Sequence, residues 1–182
     1  LRLNGETANS QSVLAEAMPV QLLHPNGYNL VESGPKPRLA YLDWGVFHVE
    51  HAFLDHWRRY RRAPRQRNEL LRSGCRDEGL YLAWEREMAM AADAVDVSRT
   101  SYMSYWHTAL KESVAVLLPE LGTLSVNYRR GWPDDECLDK SLAARRQRDQ
   151  ERGHTTLGPH RADWRLSFET APRREHLSRG QE

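Results

Sequence analysis

Apolar positions along this chain keep three rhythms, and each predicts a different element. Phe53, Leu54, Trp57 and Tyr60 recur at helical spacing with arginines on the other sides, which predicts an amphipathic helix reaching Arg72. Pro64 falls inside it and removes one backbone bond at a cost of about 3 kcal/mol, so a kink rather than an end is expected there. From Leu80 to Leu118 there is no glycine or proline, and 39 helical residues would span about 58 Å. Trp84, Met88, Ala91, Val95, Ser98, Tyr102, Tyr105 and Ala109 follow a 4,3,4,3 spacing, the seam of a coiled-coil type helix. Two long helices so close in sequence predict an antiparallel helical arm.

Alternation marks the strands. Leu1–Leu3 ends in Asn4-Gly5, a hairpin turn signal, and Leu121–Arg130 alternates over Leu124, Val126 and Tyr128. Val20–Leu23, His154–Leu157 and Ala162–Phe168 also read as strands, the last two joined by a Gly158-Pro159-His160 turn. Shorter helical signals cover 10–17, Tyr28–Glu32, and the polar stretch from Asp134 through Arg152, closed by Gly153. Gly34-Pro35-Lys36-Pro37 breaks the incoming chain and starts a helix. The order is a strand-rich end, a long helical middle and a strand-rich end. The expected fold is α+β, predominantly α, with the helical arm inserted into a mixed sheet whose other strands lie outside this chain. Three segments are expected: 1–33, a mainly helical 34–152, and 153–182.

Composition adds a location for charge. The chain of 182 residues is 40% hydrophobic and 28% charged, with a net charge of +1. That average hides seven arginines against one glutamate in residues 58–72, flanked on both sides by net negative segments. A localised contact with a polyanion is the pattern this suggests. Arg58, Arg59, Arg61, Arg62, Arg65 and Arg67 are the candidates for DNA phosphate. The plainer reading is a solvated face paired with Glu85, Glu87, Asp93 and Asp96 of the neighbouring helix. Cys75 and Cys137 lie far apart, which suits a reduced cytoplasmic protein with free thiols. No apolar run approaches the roughly 18 residues of a membrane span, and the first residues have no signal-peptide core. They do not look like a natural start either, since there is no initiator Met. His48, Glu50, His51 and Asp55 lack the spacing of a zinc helix and read as a polar cluster, not a metal site.

Two short motifs carry chemistry. In Leu177-Ser178-Arg179-Gly180-Gln181-Glu182, Ser178 can cap a helix and offer a hydroxyl to phosphate, and Gly180 lets backbone amides approach an anion. The plain alternative is a capped helix start. Gly158-Pro159-His160-Arg161-Ala162-Asp163 could serve nucleotide sensing or DNA contact through His160, Arg161 and Asp163, or be a tight turn with a surface ion pair.

These motifs, with GPKPR, LDWGVFHVE, Arg65-Gln66-Arg67-Asn68 (RQRN), RLNG and RGW, resemble the RecF family of bacterial DNA replication and repair proteins. RecF proteins are ABC-type ATPases related to the SMC proteins. The resemblance spans the chain in order, from the helical arm domain to the signature motif. It implies that 1–33 and 153–182 are parts of an ATPase head, and that 34–152 is the arm. It implies that Ser178, Arg179, Gly180 and Gln181 contact ATP held by a partner subunit, with magnesium in the complete protein. It further implies a weak DNA-dependent ATPase that dimerises on ATP. Such a protein binds single-stranded, gapped and duplex DNA, and works with a RecR-type mediator in gap repair and the SOS response. The chain departs from the family at Asn26, where Pro-Glu is common, at Leu39, where a second arginine is usual, and at Pro64. It has no Walker A pattern (Gly, four residues, Gly-Lys-Ser/Thr), and Ala40–Asp43 is a poor Walker B strand, so this chain alone is not expected to hydrolyse ATP. The alternative is a non-enzymatic helical DNA-binding or scaffold module that lacks ATPase activity.

Overall fold

The computed structural model describes residues 2–3, 6–7, 10–21, 30 and 33–170. Strands β1 (Arg2–Leu3) and β2 (Glu6–Thr7) pair antiparallel, Arg2 opposite Thr7, as the Asn4-Gly5 signal predicts. Helix α1 (Gln11–Ala17) follows. The expected strand at Val20–Leu23 does not form in its described part: Val20 is 63% exposed and outside any strand. The turn expected at 28–32 falls outside the described residues except for Leu30, which is helical.

Helix α2 (Pro35–Val49) starts where its prolines place it, with Gly34 extended at the cap. Leu39, Leu42 and Val46 are buried at helical spacing. Helix α3 (Phe53–Ser73) continues through Pro64 and ends at Gly74, whose φ of 65° is left-handed. The Cys75 amide then reaches back to the Leu70 carbonyl at 3.1 Å. Asp77 caps helix α4 (Glu78–Leu117), accepting from the Gly79 and Leu80 amides at 2.8 and 3.2 Å. At 40 residues, α4 is about 60 Å long. It packs along α3 as the predicted antiparallel pair.

The seam on α4 holds for the first half and then drifts. Met88, Ala91 and Val95 are buried, but Tyr105 is 72% exposed and Ala109 is exposed. Met103 and then Trp106, Leu110 and Val114 take over the inward face. A straight helix of 3.6 residues per turn slips against a 3.5-residue repeat, and α4 changes partner from α3 to α2 and the sheet.

A short 3₁₀ turn (Pro119–Leu121) leads into β3 (Leu124–Arg129), which pairs antiparallel with β4 (Asp163–Phe168), Leu124 opposite Phe168 and Arg129 opposite Asp163. The stretch His154–Leu157 is not a strand, and β4 takes its partner from the middle of the chain instead. The helix expected from Asp134 begins only at Leu138 and breaks at Arg145, giving α5 (Leu138–Ala144) and α6 (Arg146–Arg152). The break has a tertiary cause: the Leu142 carbonyl, which a continuous helix would bond to the Arg146 amide, accepts from Arg67 at 3.0 Å. The main core gathers Leu42, Val46, Phe53, Tyr60, Met88, Val95, Leu138, Leu142 and Trp164 from every layer. Both cysteines are free thiols, and among the described residues no helix is long and apolar enough to cross a membrane.

Candidate nucleic-acid interface

The arginines of α3 divide by helical position. Arg58, Arg61, Arg62 and Arg65 stand at i, i+3, i+4 and i+7, so they form one stripe, and all four are exposed. The Arg61 guanidinium lies 4.6 Å over the Trp57 ring and Arg62 lies 5.9 Å over Trp84. A planar cation on an indole keeps its charge while its stem covers apolar surface. Arg58 touches Asp55 at 3.6 Å and Ser12 at 3.3 Å, both at the surface. Arg59 is turned to the side. It forms a two-point pair with Glu87 of α4 at 2.5 and 2.8 Å, an exposed contact of the kind the plainer reading expects. Of the other acids named for that reading, Glu85 is buried and pairs with Arg67, Asp96 accepts from the Tyr128 hydroxyl at 2.9 Å, and Asp93 is exposed.

Arg67 leaves the candidate set. It is 0% exposed and shares the buried stripe with Tyr60, Ala63 and Leu71. Its Nε donates to Glu85 at 3.0 Å, Nη1 to Asp149 at 2.7 Å and to Thr155 at 3.0 Å, and Nη2 to the Leu142 carbonyl. Glu85 also accepts from Arg146, at 2.8 and 3.2 Å. Asn68 accepts from both the Thr155 amide and its hydroxyl, at 2.8 and 2.7 Å. The second half of the RQRN motif therefore anchors the stretch that leads to residues 158–163.

That loop is where the separated motifs meet. Arg38 of GPKPR grips Asp163 with two bonds, 2.7 and 3.1 Å long, and donates to the Ser33 carbonyl at 2.6 Å. Trp164 Nε1 donates to the Arg38 carbonyl at 2.8 Å. Burial alone would raise the Asp163 pKa, but bonds and charge from Arg38 and Arg165 outweigh it and hold the carboxyl below its usual range. Asp163 is thus a buried clamp, although its motif made it a candidate for sensing beside His160 and Arg161. Asp43 of LDWGVFHVE pairs with Arg99 at 2.8 and 3.0 Å, and Arg99 Nη1 donates to the Pro159 carbonyl at 2.8 Å. Leu39 is buried beside them.

His160 and Arg161 are exposed on the same loop. The Thr155 carbonyl can only accept, so His160 Nε2 carries the proton toward it at 3.3 Å, and Nδ1 accepts from the Tyr60 hydroxyl at 2.5 Å. Burial lowers the His160 pKa, the Thr155 bond opposes that, and the ring is left neutral near pH 7. Burial raises the Tyr60 pKa, which keeps its hydroxyl a donor. Close approach fixes two glycines here. Gly158 has φ 125°, and a Cβ on it would lie 2.6 Å from the Tyr60 hydroxyl. Gly131 of RGW has φ 99°, and its Cβ would lie 2.2 Å from the Gly158 carbonyl oxygen. Ser178, Arg179, Gly180, Gln181 and Asn26 lie outside the described residues.

Arg99, Tyr60 and Asp43 were not among the sequence candidates. A signal was available for Arg99, Arg67 and Glu85: each interrupts an apolar stripe at helical spacing, and a charge at such a position must find a buried partner.

The comparisons bear on the chain as a whole. Over all 182 residues the chain is 43% identical to the DNA replication and repair protein RecF of Pseudomonas paraeruginosa and covers 49% of that protein. RecF of Azotobacter vinelandii is likewise 43% identical, with 50% of its length covered. Among solved structures, the recombination mediator RecF of the RecFOR pathway, as its ATP complex, superposes with a TM-score of 0.88 at 19% identity, over 99% of this chain and 51% of that one. No protein-family model matches the chain. The resemblance read from the motifs is thereby shown along the whole chain, which spans about half the length of the curated relatives it matches.

Proposed function

We propose that this chain is the arm-and-signature portion of a RecF-type DNA replication and repair protein, and that its arginine stripe holds the DNA backbone. The observation that carries this is the stripe itself: Arg58, Arg61, Arg62 and Arg65 point to solvent from one face of α3, two of them seated on tryptophans. Guanidinium groups so arranged contact successive phosphates without reading sequence. Single-stranded, gapped and duplex DNA are the substrates of this reading, in recombinational gap repair and the SOS response, in the cytoplasm. Residues 34–152 serve as the arm, and 1–33 and 153–182 as strands and signature of an ATPase head.

In the complete protein, Ser178, Arg179, Gly180 and Gln181 meet ATP bound with magnesium in a partner copy, so that nucleotide draws two heads together. The nucleotide supplies the binding energy of that closure, and a RecR-type mediator engages the closed dimer. The chain's own part is mechanical. The Arg38–Asp163 and Arg99–Pro159 clamps carry any displacement of the 158–163 loop into α2 and α4.

The test is charge reversal in the complete protein, Arg58→Glu with Arg62→Glu, read as duplex affinity against salt. Removing two phosphate contacts lowers the log–log salt slope by about 1.8 and affinity by on the order of tenfold at low salt. An unchanged slope would falsify the assignment.

A further inference from the structure

The stripe runs into a cleft. Trp57 and Arg61 line both a shallow groove of about 290 Å³ along the arginines and a deeper cleft of about 480 Å³ between α2, α3, α4 and the 158–163 loop. The cleft has the size of small-ligand sites, which run from about 300 to 1,000 Å³. Its walls are flat and apolar: Trp57, Tyr60 and Leu39. Its mouth carries Lys36, Arg61 and Arg161, all exposed. At the back, Arg99 and Asp43 neutralise each other in their two-point pair, so among the described residues the mouth keeps the three positive charges of Lys36, Arg61 and Arg161. Pro35 and Pro37 remove amides from the first turn of α2, so side chains rather than a helix end supply the positive potential.

The groups inside have little hydrogen-bonding capacity left. Both ring nitrogens of His160 are occupied, and its ring stacks on Tyr60 with centroids 6.2 Å apart and planes 27° from parallel. Arg61 over Trp57 makes a second planar platform. Flat faces with cations at the rim attract a planar ring by stacking and its phosphate by charge, and they do not read which base is present. Continuity with the stripe supplies the rest of the ligand: a strand whose phosphates follow Arg65 and Arg62 toward Arg61, where groove and cleft join.

We propose that this cleft holds one unstacked nucleotide of a single strand, with its base against the Trp57–Arg61 platform and its phosphates on Lys36 and Arg161. The proposal rests on the reading of the stripe as a DNA contact. A base paired in an intact duplex cannot enter, so the cleft gives the arm a preference for single-stranded or gapped DNA that the stripe alone lacks.

The experiment uses the complete protein and two probes: a duplex carrying 2-aminopurine in a single-stranded gap, and the same duplex with the gap filled. Binding quenches the 2-aminopurine of the gapped probe only. Trp57→Leu abolishes the quench and lowers affinity for gapped DNA about tenfold, a larger loss than on the filled duplex, where it only loosens the seat of Arg61. Lys36→Gln, exposed and outside the core, repeats the loss at about threefold and guards against misfolding of the tryptophan variant. Equal affinity of both variants for gapped DNA, or an equal loss on both probes, overturns the proposal. So does quenching of Trp57 by free dAMP with no response from the gapped probe, which would make the cleft a site for a free nucleotide. Failure of the stripe itself shows separately, as an unchanged salt slope in the Arg58→Glu, Arg62→Glu protein.

Discussion

Arg65 and Arg67 sit two residues apart on one helix and do opposite things. Arg65 is exposed on the stripe with Arg58, Arg61 and Arg62. Arg67, turned by about 200°, is sealed among Glu85, Asp149, Thr155 and the Leu142 carbonyl. Residue type says nothing about the difference. Helix phase says nearly all of it, because position 67 continues the buried stripe of Tyr60 and Ala63, and position 65 continues the arginines. The lesson is that a cluster of like charges on a helix has to be sorted by face before it is given a ligand. The exposed face is held toward solvent only because the buried face fixes where the helix stands.

The largest effect tests the buried side. Arg67→Ala leaves Glu85 and Asp149 without their shared cation inside the protein, which costs about 3–5 kcal/mol. Denaturant unfolding should show this loss as a lower midpoint. If the midpoint stays within the range of a surface change, Arg67 is not the anchor described here. Next comes the loop that this network supports. Gly158→Ala combines a φ of 125° with a Cβ 2.6 Å from the Tyr60 hydroxyl and should cost about 1–3 kcal/mol. The same variant should break the Tyr60–His160 bond, visible as a rise in the His160 pKa by NMR as the ring gains water.

A pH series sharpens the comparison between the Arg38–Asp163 clamp and the surface pairs. The folded Asp163 pKa lies below its ordinary value of 3.8. Its contribution to stability is therefore complete above that value and disappears as pH falls through the lower folded pKa. Asp163→Asn should be less stable than the parent at neutral pH, and the gap should narrow below about pH 3.5. A gap independent of pH would mean that the ion pair is not its source. The smallest stability effect belongs to the stripe: Arg65→Gln should move unfolding by less than about 0.5 kcal/mol. The same change should lower the salt slope of duplex binding by about 0.9. Arg65 is then the mirror of Arg67, silent in stability and visible in binding.

Much of the scaffold is legible in the order of residues. The β1–β2 hairpin, the proline start of α2, the passage of α3 through Pro64, the limits of α4 and the strands β3 and β4 all carry local signals. Those signals are turn residues, caps and periodicity, which act over a few positions. Where pattern and fold part, the cause is not local. Val20 and the stretch His154–Leu157 have apolar content but lie outside any strand, and Tyr105 and Ala109 lie past the point where α4 changes partner. The break at Arg145 is made by a side chain 75 residues away in sequence, between Arg67 and Leu142.

The same division holds for the site. The sequence determined that seven arginines crowd one short helical segment, that a Gly-Pro-His-Arg loop precedes the last strand, and that the ordered motifs resemble RecF. Chain order alone suffices for each of these. Tertiary structure decided that four of the arginines share a solvent face and that Arg67 is core. It also set Arg38 on Asp163 and Arg99 on the Pro159 carbonyl, and opened a cleft beside Trp57. Those facts depend on which helix faces meet. Packing of whole elements settles that, because a buried charge can be kept only where distant residues complete its bonds.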